Sequence, residues 1–147
     1  RSQDALGLPS YFYVFDHCYP SAKARDLCAF HASELPFTFG NLAAEALPDV
    51  WPVPDGPHDC AVSDAMLDYW TSFAASARPH ADGLPAWQPY GSAQRYVRFV
   101  DAPVPGRDYK SGMYELLETF AAQQRDAGQS WGMPIGLKAA PRSDDQK

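Results

Sequence analysis

Residues Tyr11 to Phe15 read YFYVF, β-forming residues in an unbroken run with no polar residue among them. A strand that faces water on one side alternates apolar and polar positions, because successive side chains point to opposite faces. A continuous apolar run buries both faces, as in the interior of a sheet covered on each side by helices. The chain is therefore read as α/β, with a strand that needs a neighbour on either side. The remaining sequence offers one other good strand, RYVRFV from Arg95 to Val100, whose alternation fits an edge. Two strands cannot bury YFYVF, so further strands are expected from a partner segment. The opening RSQDALG has no initiator methionine and reads as the last turns of a helix stopped at Gly7. It adds to the expectation of a piece of a longer or processed chain. That start does not allow a signal peptide to be judged, so the compartment, secreted, periplasmic or cytoplasmic, stays open.

The helix pattern is clearest from Ser63 to Ala77. Val62, Met66, Tyr69, Trp70, Phe73, Ala74 and Ala77 recur on one face, Ser63 or Asp64 can cap the start, and Arg78-Pro79 ends it. A second helix is expected over about Gly112 to Ala127, with Met113, Leu116, Leu117, Phe120 and Ala121 on one side and Gly128 as its stop. Asp16 to Asp26 reads as a polar loop with Pro20 and Ser21 as turn residues. Leu47 to Asp59, LPDVWPVPDGPHD, carries four prolines and reads as a wall or lid loop. Residues 1–138 are taken as one structural segment and 139–147 as a polar, flexible tail.

The formal net charge is −6 and no Lys/Arg run occurs, so nucleic acid and anionic membrane surfaces are poor partners. No apolar stretch approaches the roughly 20 residues of a membrane span. Cys18, Cys28 and Cys60 make an odd count. A Cys18–Cys28 bridge would close a short loop just before His31, and three ordinary thiols are the equal alternative.

Of four histidines, His58 and His80 sit in proline-containing turns and read as solvent-exposed. His17 follows the apolar strand directly, where functional side chains collect in α/β sheets, although a lone histidine there is more often structural. His17-Cys18 with Cys28-x-x-His31 offers zinc-type donors. Adjacent residues on extended chain point to opposite faces, however, so no metal site is assigned, and no cofactor. His31 remains as a packed residue or a catalytic base. A strand, a loop and then a histidine is the placement of the base in α/β-hydrolases.

AFHASELPFTFGN, from Ala29 to Asn41, resembles the histidine segment of type-B carboxylesterases, the family that includes cholinesterases. The family pattern is approximately G-x-x-H-G-x-E-[LI]-P-[YF]-x-F, and His31, Glu34, Leu35, Pro36, Phe37 and Phe39 match it in register. YFYVFDH is similar to the strand that precedes that loop, VSDAMLDYWTSFAASARPH to the family's Y-W-x-x-F-A helix, and PAWQPYGSAQRYVRF to the segment entering its last strand. Cys28 and Ala32 stand where glycine is usual, His80 where Asn is frequent, and Gln88 where Pro is frequent.

The resemblance implies the C-terminal part of an α/β-hydrolase: an interior strand, the histidine loop, packing helices and the final edge strand. It implies that His31 is the general base and then acid of ester hydrolysis, with Glu34 shaping the pocket or serving as a buried structural carboxylate. Phe37 and Phe39 are expected to pack beneath the site, Trp70 in the core, and Trp51 near an entrance. No G-x-S-x-G elbow and no H-G-G-G segment occurs in the 147 residues. The nucleophile, the triad acid and the oxyanion donors are expected in an N-terminal segment of the same enzyme, acting on a small carboxylic ester. This chain alone is expected to be inactive. A catalytically silent cholinesterase-like adhesion or scaffold protein and a small stand-alone binding domain are the rival readings.

Overall fold

The computed structural model of the chain describes residues 6–128. Most of the helix expected over residues 1–7, and the tail over residues 139–147, lie outside them. The chain divides into two units after Tyr109, and each is described by itself.

In the first unit three strands form one sheet in the order β1-β2-β3: β1 is Tyr13–Phe15, β2 Arg95–Phe99 and β3 Pro103–Arg107. β1 runs parallel to β2, with Tyr13 opposite Val97 and Phe15 opposite Phe99. β2 and β3 are antiparallel, with Phe99 opposite Pro103 and Arg95 opposite Arg107. β2 is therefore the middle strand, a correction to its reading as the edge. The edge is β3, which sequence patterning passes over because of Pro103 and Pro105. Asp108, just after β3, donates its N–H to the carbonyl of Gln94, just before β2, so in this register even-numbered amides of β3 face the ladder and odd-numbered ones face away. Both prolines thus sit at positions that owe the ladder no hydrogen. Among the described residues nothing pairs with the other edge of β1, whose three residues are only half-buried.

Between β1 and β2 lie four helical stretches: α1 (Pro20–Ala24), α2 (Leu35–Thr38), a 3₁₀ turn over Ala44–Ala46, and α3 (Asp59–Ser76). The polar loop expected over Asp16 to Asp26 thus contains a short helix. Pro20 presets its first φ and Ala22 is its buried residue.

α3 begins four residues before the expected Ser63 and ends at Ser76, capped by Ala77, which holds left-handed backbone (φ 57°) and donates its N–H to the Phe73 carbonyl. Ser63 does not cap α3; its hydroxyl donates to the Phe37 carbonyl, 2.8 Å away. Val62, Met66 and Tyr69 are fully buried, Trp70 half-buried, and Phe73, Ala74 and Ala77 exposed. The core joins this face to Phe37, Trp87, Val97 and Phe99, with Tyr13 and Phe15 packed against it. Burial of the Tyr69 phenol raises its pKa above the ordinary 10.0, and its O–H donates to the Pro85 carbonyl.

The second unit contains α4, Met113–Asp126, within a residue of its expected bounds; Gly112 precedes it at φ 75°. Met113, Leu116, Leu117 and Phe120 on its apolar side are all exposed.

Candidate functional site

β1 delivers the chain to a buried histidine two residues later. His17 is 2% exposed, and its Nε2 lies 2.7 Å from Oδ1 of Asp59, the first residue of α3. The other ring nitrogen, Nδ1, is 3.3 Å from the carboxylate of Asp101, without hydrogen-bond geometry. The second Asp59 oxygen accepts the Gly56 N–H at 2.7 Å. A side chain at Gly56 would meet Asp59 and Pro20 at 2.9 Å, so this close approach requires glycine. Asp59 thus ties the end of β1, the last turn of the proline-rich loop and the start of α3 together. Its role was not legible locally, because its partner lies 42 residues away in sequence.

Cys18 and Cys28 are joined in a disulfide with Cα atoms 4.8 Å apart, and Cys60 is a free, exposed thiol. This settles the pairing left open by the sequence and takes both sulfurs out of the zinc-donor set. Among the described residues no group of three or more His, Cys, Asp or Glu side chains could hold a metal ion.

The segment after Cys28 is built from turns, His31 to Glu34, leading into the one-turn helix α2. Pro36 lies in the first turn of α2, and Glu34, before the helix, has its carbonyl bonded by the N–H and hydroxyl of Thr38. Ala29 (φ 47°) and Ala32 (φ 67°) hold left-handed backbone on either side of His31. That conformation strains alanine, which explains why glycine at the second position is the easier residue.

His31 itself is exposed. Phe37 is fully buried, its ring centroid 5.1 Å from Phe15, 5.3 Å from His17 and 5.7 Å from Tyr19. α2 is thereby seated beside the carboxyl end of β1. Phe39, grouped with Phe37 as a packing residue from the sequence, is instead 68% exposed. It lies at the end of α2, where the chain turns outward.

Glu34 is half-buried and acts on the sheet. The Tyr13 phenol is raised above its ordinary pKa of 10.0 first by burial and then by the Glu34 carboxylate. Trp51 is half-buried with its ring edge-to-face on Phe30 at 5.1 Å, and it lines a cavity of about 220 Å³ with Leu35, Pro36 and Phe39. The proline-rich loop that carries Trp51 is strapped down. The Tyr19 hydroxyl donates to the Pro52 carbonyl at 3.0 Å, the Ser21 hydroxyl to the Val53 carbonyl, and the Ser21 N–H to Asp55 at 3.1 Å. These bonds fit a wall better than a lid. The Tyr19 phenol is raised by burial, then by Asp59 and Asp55.

His58 and His80 are exposed; His80 Nε2 lies 3.0 Å from the Asp82 carboxylate. No helix among the described residues is long and apolar enough to cross a membrane.

The candidate site is therefore an exposed imidazole on a turn that leads into α2, whose Phe37 packs on the carboxyl end of β1. The imidazole is accessible to a reacting group, and no serine among the described residues stands in a G-x-S-x-G elbow.

Residues 1–116 match the family model described as the carboxylesterase family. Among curated relatives, the chain is 29% identical to the mouse (Mus musculus) acylcarnitine hydrolase over 111 residues, covering 74% of this chain and 19% of that one. It is 34% identical to the medium-chain fatty acyl-CoA hydrolase precursor of the duck Anas platyrhynchos over 103 residues, covering 66% and 17%. Among solved structures, a PNB esterase superposes with a TM-score of 0.65 at 26% identity, over 78% of this chain and 23% of that one. A carboxylesterase from Geobacillus stearothermophilus gives 0.59 at 30% identity, over 87% and 23%. The chain spans less than a fifth of the length of these curated relatives.

Proposed function

The chain belongs to the carboxylesterase family, and we propose that it is the C-terminal portion of a serine ester hydrolase in which His31 moves the proton. The observation that carries this reading is the exposed His31 on its turn, between a disulfide and the helix that packs Phe37 against Phe15 of β1.

In the reaction, a ring nitrogen of His31 takes the proton from the hydroxyl of a serine supplied by the N-terminal portion, as that oxygen attacks the ester carbonyl. The imidazolium then gives the proton to the departing alkoxide, leaving an acyl-enzyme and a free alcohol. His31 next deprotonates a water that attacks the acyl-enzyme, and it returns the proton to the serine as the carboxylic acid leaves. The acid that orients the imidazole and the donors that hold the oxyanion come from the same N-terminal portion. Glu34, beside Tyr13, shapes the floor around the turn. The substrate is a small carboxylic ester, and Trp51 stands at its approach.

The test is the pH dependence of kcat/KM in the full-length enzyme. A protonated imidazole has no lone pair to accept the serine proton, so the rate falls through the acid range in which histidines as a class take up a proton. A rate that is flat across that range contradicts the assignment.

A further inference from the structure

The main chain around His31 has few ties of its own. Leu27 donates to the Ala22 carbonyl, and Ser33 to that of Phe30. Between them, none of the backbone N–H groups of Cys28, Ala29, Phe30, His31 and Ala32 donates a backbone hydrogen bond to a described residue. Two of these residues, Ala29 and Ala32, hold left-handed backbone that relaxes if the chain is released. What holds this stretch is the Phe30 ring on Trp51, the Ser33 and Leu35 N–H groups that donate to its Phe30 and Ala32 carbonyls, and the covalent bond from Cys28 to Cys18.

The other end of that bond is firmly set. Cys18 stands between His17, 2% exposed and bonded to Asp59, and Tyr19, 4% exposed and bonded to Pro52. Rigidity passes from this buried pair through two sulfur atoms to a residue three positions before His31. Cys28 is exposed and Cys18 half-buried, so a small dithiol can reach the bridge.

We infer that Cys18 and Cys28 are positioning residues for His31, and that reducing their disulfide reversibly lowers turnover without unfolding the protein. The inference rests on the reading of His31 as the base. In the reduction, a dithiol gives up two electrons and two protons. The bond between the two cysteine sulfurs breaks, both become thiols, and the reagent closes into its cyclic disulfide. Freed, residues 28–32 sample more conformers, and the imidazole spends less time aligned with the serine. Misplacement on the ångström scale costs about 10²-fold in rate where alignment supplies the catalysis.

The experiment treats the full-length enzyme with dithiothreitol, follows Cys18 and Cys28 thiols by alkylation and mass, and measures kcat and KM on a p-nitrophenyl ester. Near-ultraviolet circular dichroism reports on the fold. The expected result is a fall in kcat of at least about tenfold, with KM changed less than twofold, the dichroism retained, and activity restored on reoxidation. A Cys18→Ser, Cys28→Ser double variant is expected to share the low kcat and to ignore the dithiol. Unchanged kcat with both thiols shown to be free overturns the inference. So does a fall in kcat that tracks loss of the dichroism, or an effect of dithiol that persists in the double variant. His31→Ala, measured beside them, separates the two levels. If it retains activity the base assignment fails; if it is inactive while reduction leaves kcat intact, only the disulfide's role fails.

Discussion

His31→Ala in the full-length enzyme is expected to lower kcat by roughly 10³-fold or more, with KM little changed. The size follows from what the imidazole does. Without it the serine hydroxyl attacks undeprotonated and the alkoxide leaves unprotonated, so two proton transfers lose their carrier at once. The stability cost is expected to be small, because His31 is exposed and neither ring nitrogen takes part in an ion pair or hydrogen bond among the described residues. Replacing an exposed side chain of this kind costs within about 0.5 kcal/mol. Thermal unfolding and steady-state kinetics, run on the same preparation, check both halves. A variant that loses stability in proportion to activity would make His31 a packing residue.

The reverse pattern is expected at the buried His17. Asp59→Ala removes the carboxylate that His17 meets at 2.7 Å, in a place where the two side chains are 2% and 4% exposed. It also leaves the Gly56 N–H without its acceptor. Removing the carboxylate strands two groups bonded to it, the His17 ring nitrogen and the Gly56 N–H, at about 1–3 kcal/mol each. That is a large share of the stability of an ordinary domain. Asp59→Asn keeps an oxygen acceptor in the same position and is expected to lose less. Equilibrium unfolding in urea gives both values, and a loss below about 1 kcal/mol for the alanine variant would show that His17 and Asp59 contribute little. His31 and His17 thus divide by environment: one is exposed between two left-handed alanines, the other buried and bonded to Asp59.

The sequence carried the fold where the signal was local. YFYVF announced a strand and contains β1, and the periodic run after Val62 announced α3. What escaped it was tertiary. The start of α3 is set by Asp59, whose partner His17 is distant in sequence, and no capping pattern near Ser63 encodes that. β3 was hidden because prolines argue against a strand until one knows which way their nitrogens face. Three cysteines could not declare their pairing, so a Cys18–Cys28 bridge and three ordinary thiols read equally well until the fold brought the two sulfurs together. Within the candidate site, Phe37 and Phe39 looked equivalent in the motif, yet one is fully buried and the other 68% exposed. Sequence spacing gives the register of a helical turn, but not which side of it the rest of the protein covers.

The central claim is that His31 carries the proton for a serine that this chain does not contain. The most direct measurement is a crystal structure of the full-length enzyme with its nucleophile trapped as a phosphonate ester. The account predicts a ring nitrogen of His31 within hydrogen-bond reach, about 2.6–3.2 Å, of the esterified serine oxygen or of the phosphonate oxygen that mimics the leaving group. A different histidine in that place, with His31 turned to solvent, would contradict it.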